Sequence, residues 1–372
     1  MAKLGMPSVN ISFIEAGIEA IQRSQRGIAM LILEDTAAAI KKTGNEFTVY
    51  SVDDIPSTLS VKNQDYITKC LIGYVKTPYR VKVYVMEANA DNDAAANKFN
   101  EVLVQIATTR FDYLAIPTIR EEQKEMVATW VKSQRENKFN KIKAVLPGYA
   151  ADYEGVINFS NEKIVTKAQE YTPAEYTARI AGLICGTPMT ISATYAPLSE
   201  VIDCDKYTDD ENDEKVNKGE FFIWYDREKF KMSRAMNSLV TTTQGKLEGY
   251  QTIKIVDVMD MIYYDIRKTA QDSYIGKYTN DYDNKCLLIA AIMGYFKELE
   301  QGRLLQKDIS TVEIDIEAVK NYQLEHGLYT KEELADMSDQ EIKELDTKKK
   351  VFLKAKIRIL DAMEDIVLPV SM

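Results

Sequence analysis

The segment Tyr113-Leu114-Ala115-Ile116-Pro117 has the pattern of a short buried strand that ends at a proline. An amphipathic stretch from Glu121 to Arg135 follows, and then a second apolar run, from Ile142 to Leu146, that also ends at a proline. Strands that alternate with helices favour a mostly parallel sheet with helices packed on it. We therefore predict a mixed α/β (α+β) fold, a compact core of helices packed on mixed sheets.

The same alternation extends to both sides of this segment. Strands are predicted at Met30 to Leu33, Phe47 to Val52, Arg80 to Met86, Val156 to Phe159 and Phe221 to Tyr225. Cap residues mark helix starts, since Thr172 precedes Pro173, and Ser338 precedes Glu341 by the three residues of a capping box. Further helices are predicted at Ala37 to Lys42, around Phe99 to Ile106, from about Ile255 to Ala270, Asp281 to Gln301, Glu313 to Asn321, Lys331 to Ala335 and Asp339 to Leu345.

Composition limits the classes of function. The chain has 372 residues, with 47 basic and 57 acidic side chains and a net charge of −10, which argues against a general nucleic-acid surface. The start MAKLGMPSVN has no apolar signal region, and the uncharged stretch Ile180 to Ser199 is interrupted by prolines and glycines. We expect synthesis in the cytoplasm without a signal peptide, and no direct membrane insertion.

Residues with catalytic or metal-binding patterns are few. The single histidine, His326, stands beside Gly327 near a predicted helix end, where a cation suits the helix dipole. The acidic stretch Cys204 to Lys218 is interpreted as a solvated loop, because Glu214 occupies the position where a calcium-binding loop needs glycine. Gly182 and Gly186 fit a close-packed helix, and no phosphate-binding glycine motif is present. We expect no catalytic residue, no cofactor and no metal, with Cys70, Cys185, Cys204 and Cys286 as reduced thiols.

Both ends of the chain have strand patterns without an adjacent partner. Near the start, Val9, Ile11 and Phe13 alternate with polar residues. Near the end, one apolar face is formed by Val351, Leu353, Ala355, Ile357 and Ile359, and a second strand-like run carries Ile366, Leu368 and Val370. An unpaired strand is an aggregation hazard, so these ends are predicted either to pair with neighbouring subunits or to pair with each other within one subunit.

Several stretches resemble the contractile tail sheath proteins of phages, R-type bacteriocins of the diffocin kind and related injection machines. The resemblance is carried by the N-terminal Gly5 to Phe13, by Ala20 to Ile28, by Asp152 to Phe159 with Tyr176 to Gly182, and by Arg234 to Thr242. It implies a structural subunit that assembles in hexameric rings stacked into a helical sheath around an inner tube protein. It further implies baseplate and tail terminator proteins as partners, contraction that drives the tube through a cell envelope, and a particle released from the cell.

The resemblance also implies an organisation along the chain. We predict exchange arms at 1–20 and 346–372, a core divided into 21–95 and 201–345, and an α/β subdomain at 96–200. In this family a late helix grips the tube, and the candidate tube-facing residues are Lys285, Lys297, Glu298, Glu300 and Arg303. The alternatives are a solvated outer helix, tube contact through the basic segment near Lys348, a cytosolic α/β enzyme that uses Asp, Glu, Lys and Tyr, or a soluble binding module.

Overall fold

The computed structural model describes residues 20–88 and 92–371, and they form two compact units. The larger unit contains Arg23–Tyr264, Gly302–Leu304 and 359–371, and the smaller unit contains Asp265–Gln301 and Leu305–Arg358 together with 20–22. The three N-terminal positions predicted to take part in strand exchange, Val9, Ile11 and Phe13, lie outside the described residues.

A seven-stranded sheet organises the larger unit. Its order is β10-β6-β5-β4-β1-β3-β2, and every neighbouring pair is parallel except β2 with β3. The strands are β1 (Ile28–Asp35), β2 (Glu46–Val49), β3 (Arg80–Glu87), β4 (Tyr113–Ala115), β5 (Lys143–Pro147), β6 (Val156–Phe159) and β10 (Glu220–Phe221). Because β1 to β3 and β4 to β6 share one sheet, the segments 21–95 and 96–200 build this sheet together.

Helices cover both faces of this sheet, because successive side chains of β1 point to opposite faces and both sets are apolar. Leu31 and Leu33 face one core with α2 (Val61–Ile72) and α5 (Pro173–Cys185), whereas Met30 and Ile32 face another with α3 (Asn92–Ile106) and α4 (Glu121–Glu136). The remaining helices of this unit are α1 (Ala37–Thr43), α6 (Asp209–Asn217) and the first part of α7 (Ile253–Thr269). The predicted caps Thr172 and Ser338 are confirmed, each with its glutamate three residues later.

Smaller antiparallel sheets complete the larger unit. One has the order β8-β7-β9, from Glu170–Tyr171, Ile164–Thr166 and Val201–Cys204, and the other pairs β11 (Ile223–Tyr225) with β12 (Phe230–Met232). The prediction of a loop from Cys204 to Lys218 was wrong over α6. Thr208 caps this helix and Glu211 completes a capping box. None of its residues is buried, so no apolar period marked it.

The smaller unit is mostly helical. It contains the end of α7, a π-helical turn at Ala270–Tyr274, and the helices α8 (Tyr282–Gln301), α9 (Ile316–Glu325), α10 (Lys331–Asp336) and α11 (Asp339–Glu344). Its strands β13 (Thr311–Ile314) and β14 (Leu353–Lys356) form an antiparallel ribbon. The predicted helix from Glu313 therefore begins later, because Asp315 is the N-cap of α9.

Candidate assembly surfaces

The single histidine is a helix-end residue. His326 is the C-cap of α9, its Nδ1 lies 2.8 Å from the carbonyl oxygen of Tyr322, and its ring stacks on the Tyr322 ring with centroids 4.0 Å apart. Across residues 20–88 and 92–371, no group of three or more His, Cys, Asp or Glu side chains is arranged to hold a metal ion. The four cysteines are free thiols, and burial raises the pKa of Cys70 to about 12.

Two of the sequence stretches that resemble the sheath family lie against each other. Asp152 Oδ1 accepts hydrogen bonds from the amides of Val240 and Thr241, at 2.7 and 2.8 Å. The hydroxyl of Ser238 donates to the carbonyl of Tyr153 at 3.0 Å. These polar groups join the start of β6 to the segment after β12, so their role in this fold is structural.

A third such stretch pins the start of β1. The amides of Gly27 and Ile28 both donate to Asp112 Oδ2, at 2.8 and 2.9 Å, and Arg26 forms an ion pair with the same carboxylate at 2.8 Å. Gly27 has a φ of +83°, and a Cβ there would lie 2.4 Å from the carbonyl oxygen of Cys185. The Arg-Gly turn is therefore fixed by backbone geometry and by one buried carboxylate.

A buried ion cluster, which the sequence analysis did not identify, ties α7 to the sheet. Lys143 on β5 is 1% exposed, and its Nζ lies 2.6 Å from Asp260 Oδ2 and 2.9 Å from Asp257 Oδ1. Arg135 binds both oxygens of Asp260, at 2.8 and 3.0 Å. Burial alone would raise the pKa of Asp260, but Lys143 and Arg135 outweigh it and lower this pKa to about 2. A lone lysine inside the apolar run Ile142 to Leu146 was the signal.

The C-terminal segment is partly paired within its own chain. Leu353 pairs with Ile314 and Lys356 with Thr311, so β14 has a strand partner in its own chain, the internal strand β13. The partner was missed because Glu313 had been assigned to a helix. Val351 and Ala355 are exposed, whereas Ile357 and Ile359 are partly buried. Since the ribbon has two strands, both of its outer edges lack a strand partner among the described residues.

The last residues form an exposed apolar segment, which we call the tail. Its side chains Ile366, Val367, Leu368 and Val370 are 83, 92, 77 and 76% exposed. Exposing four large apolar side chains to water within five residues is unfavourable, and such a patch marks an interaction site or an aggregation hazard. Pro369 within the tail lacks an amide hydrogen, so only one edge of an extended strand could pair fully.

The candidate tube-facing helix α8 has fewer surface charges than predicted. Lys285 is only 4% exposed, its Nζ lies 3.5 Å from the carbonyl oxygen of Lys343, and burial lowers its pKa. Glu300 accepts a 2.5 Å hydrogen bond from the hydroxyl of Ser310. These two residues therefore make contacts within the smaller unit. Lys297 and Glu298 are exposed, as is Arg303 after the helix.

Apolar side chains of α8 face the interior of the protein. Ala291 and Phe296 are buried, and Leu288 and Met293 are half-buried. In the basic segment before β14, Lys348 pairs with Asp346 at 2.7 Å and Lys350 lies 5.4 Å from the centre of the Tyr322 ring. This segment is thus exposed but partly neutralised.

A search of the described helices found none long and apolar enough to cross a membrane. Comparison with known proteins gave consistent results. Residues 87–238 match the phage tail sheath protein central domain, and residues 246–372 match the phage tail sheath C-terminal domain. The chain is 38% identical to the tail sheath protein of Clostridium phage phiCD119 over 371 residues, which covers 99% of both chains.

Solved structures have the same fold. The sheath tail protein from Desulfitobacterium hafniense matches with a TM-score of 0.69 at 19% identity, covering 83% of this chain and 94% of that one. The helical sheath of the anti-feeding prophage in its contracted state also matches with a TM-score of 0.69, at 15% identity and with 99% of both chains covered. Together with the two domain matches and the full-length relative, the fold shows that this chain belongs to the phage tail sheath protein family.

Proposed function

We propose that this chain is the structural subunit of a contractile tail sheath, which polymerises helically around an inner tube and contracts to drive that tube through a cell envelope. The full-length similarity to a phage tail sheath protein carries this proposal. Its partners would be further copies of itself in stacked hexameric rings, the inner tube protein, and baseplate and terminator proteins. The role is mechanical and needs no catalytic residue, and the finished particle leaves the bacterium in which it is made.

Two surfaces support exchange of strands between subunits. The ribbon of β13 and β14 offers outer edges that have no strand partner among the described residues, and the tail offers a short segment of exposed apolar side chains. Adding such a segment to a sheet edge satisfies backbone groups and buries apolar area together. Heterologous contacts of this kind give rings where the rotation closes and helical filaments where it does not.

A truncation tests the exchange. Removing residues 366–372 leaves β14 with its own partner, whereas a cut at Val351 would also dismantle the ribbon. We expect a folded chain with an unchanged melting temperature that forms no tubes by electron microscopy or sedimentation. Normal tubes from the truncated chain would contradict the exchange. A matched pair of triple variants separates the role of the tail from a general effect of exposed apolar side chains. The first variant changes Ile366, Leu368 and Val370 to serine. The control changes Val61, Leu247 and Ile275, which are similarly exposed, to serine.

A pair of proline variants tests the pairing edge. In an extended strand successive amides point to opposite edges, so Pro369 already removes a donor from the edge shared with Val367. Leu368→Pro removes a donor from the opposite edge, and we expect it to abolish tube formation. Val367→Pro should assemble much more nearly as the wild type does. Equal effects of the two substitutions would show that the tail does not pair through a single edge.

The tube-facing surface is proposed on the exposed charges at the end of α8 and just after it, namely Lys297, Glu298 and Arg303. Exposed ion pairs are individually weak and screened by salt, which suits a reversible grip. Reversing Lys297 and Arg303 to glutamate should weaken binding to the tube at low salt and leave tube-free sheath polymers intact. Unchanged co-sedimentation with the tube would move this surface elsewhere, and the basic segment around Lys348 is the next candidate.

A further inference from the structure

The chain just before the tail is held at several points in the larger unit. The amide of Leu360 donates to the carbonyl of Leu304 at 2.9 Å, and Lys254, at the start of α7, donates from its Nζ to the carbonyl of Leu360. Glu364 and Asp365 then engage side chains from two other elements. The exposed tail begins with the next residue, Ile366.

Thr194 and Arg234 together form a site that binds the carboxylates of Glu364 and Asp365. Thr194 donates its hydroxyl hydrogen to Glu364 Oε1 at 2.6 Å, and Arg234 Nε lies 3.4 Å from Glu364 Oε2. The Nη2 of Arg234 pairs with Asp365. One guanidinium thus spans both acidic side chains, which suits its planar, multiply donating geometry.

The threonine in this site is oriented by its neighbours. Its Oγ1 accepts a hydrogen bond from the amide of Ala235 at 2.9 Å, and the hydroxyl of Ser192 lies 2.8 Å away. Because Thr194 has a single hydroxyl hydrogen and that hydrogen points at Glu364, Ser192 must donate to Thr194. This local network directs the hydroxyl hydrogen of Thr194 at the carboxylate of Glu364.

We propose that Thr194 and Arg234 form a docking site for the acidic pair Glu364–Asp365 of the same chain, and that this site fixes the point from which the exchanged strand extends. This inference rests on the proposed function, since it concerns the segment that a subunit would donate. Extended at about 3.3 Å per residue, the seven residues from Ile366 reach about 23 Å, whereas the twelve residues from Asp361, the first beyond the contacts of Leu360, would reach about 40 Å. Occupancy of the site therefore sets the distance at which a neighbouring subunit can be engaged.

Proteolysis by an enzyme that cuts after glutamate tests the site directly. Cleavage after Glu364 releases the peptide Asp365 to Met372, which mass spectrometry can quantify. Arg234→Gln should speed this release about three- to tenfold, the change expected when charge-assisted contacts of a half-exposed pair are lost. Arg227→Gln is the matched control, because it removes one exposed arginine from the same unit, and it should leave the rate unchanged.

Further variants separate a specific site from a general loosening of the chain. Thr194→Val should also speed release, whereas Thr194→Ser should behave as the wild type because it keeps the hydroxyl. Salt at about 1 M, where the screening length falls to about 3 Å, should speed release of the peptide from the wild type. The same salt should have a much smaller effect on Arg234→Gln, because that variant has already lost the ion pairs. Release that is unchanged in both Arg234→Gln and Thr194→Val would overturn the proposal.

Dilution identifies the occupant of the site. If the pair comes from the same chain, the release rate is independent of protein concentration. A rate that rises on dilution would show that a second copy supplies the acidic pair, and would overturn the assignment to one chain. Two results would distinguish a failure of strand exchange from a failure of the docking site. If only strand exchange is wrong, a chain truncated after Asp365 would still form tubes, while Arg234→Gln would still release its tail faster than the wild type.

Discussion

The buried lysine of β5 gives the sharpest test of the physical reasoning. In Lys143→Met the side-chain volume is nearly kept, but Asp260 and Asp257 lose a cation at 2.6 and 2.9 Å. Removing one partner of a buried pair typically costs about 3–5 kcal/mol, because the other charge stays buried. Asp260 keeps both contacts to Arg135, so we expect the lower end, about 3 kcal/mol.

Chemical denaturation monitored by tryptophan fluorescence and circular dichroism would measure this loss. The control is Lys163→Met, since Lys163 pairs with Asp203 at 3.2 Å and both side chains are well exposed. It should cost no more than about 1 kcal/mol. A double variant, Lys143→Met with Asp257→Asn, should recover part of the loss, because it also removes the charge of the carboxylate that lost its cation and leaves the pair of Arg135 with Asp260 intact.

The cluster also predicts a pH dependence. Interaction with Lys143 and Arg135 lowers the pKa of Asp260 to about 2, below its ordinary value of 3.8. A carboxylate whose pKa is lowered on folding stabilises the folded state fully above its unfolded-state pKa, and this contribution is lost as the pH falls towards the folded-state value. The wild type should lose this contribution between about pH 4 and pH 2, and in Lys143→Met, where the pKa of Asp260 lies nearer its ordinary value, the loss over this range should be smaller. A cost for Lys143→Met equal to that for Lys163→Met would refute the argument.

Other predictions follow from single positions. Gly182→Ala would place a Cβ 1.9 Å from the backbone carbonyl oxygen of Cys70, so it should destabilise the folded chain by about 1–3 kcal/mol or more. Gly294→Ala, in α8 with open space around it, should instead stabilise the folded chain by up to about 1 kcal/mol in thermal melts. Lys285→Glu should lower the melting temperature by removing a buried donor, and a melting temperature equal to that of Lys297→Glu would contradict its burial. His326→Ala should change the free energy of unfolding by about 0.5 kcal/mol or less, and any larger effect on assembly would assign this residue a role not proposed above.

The sequence predicts the elements of this fold wherever local chemistry determines them. Thr172 with Pro173 marked the start of α5, and the apolar period of residues 281–301 marked α8. Helix α6 was missed because it buries no side chain, although Thr208 and Glu211 have the same spacing as Ser338 and Glu341. Periodicity alone gave it no signal, but the capping box would have identified it.

Sites made by distant residues were harder to predict. Glu313 precedes a helical pattern, and only its pairing with Lys354, 41 positions later, makes it part of a strand. The position of Lys285 near the start of α8 gave no sign that its amine would lie against α11. The contacts of Arg234 with the residues before the tail likewise depend on tertiary structure. Such contacts have no fixed sequence spacing, so patterns of period 2 or 3.6 cannot reveal them.

The fixed Arg-Gly turn has a mechanical consequence. Asp112 clamps the chain at Arg26 to Ile28, and the strand that begins there, β1, lies in the sheet between β3 and β4. A pulling force applied to the chain ahead of this turn and directed along β1 would load the hydrogen bonds to both neighbouring strands together, in shear. An edge strand pulled sideways would instead lose its bonds one after another. Any tension transmitted from ahead of the turn would therefore meet a strand that is bonded on both sides, and it would meet the carboxylate of Asp112 first.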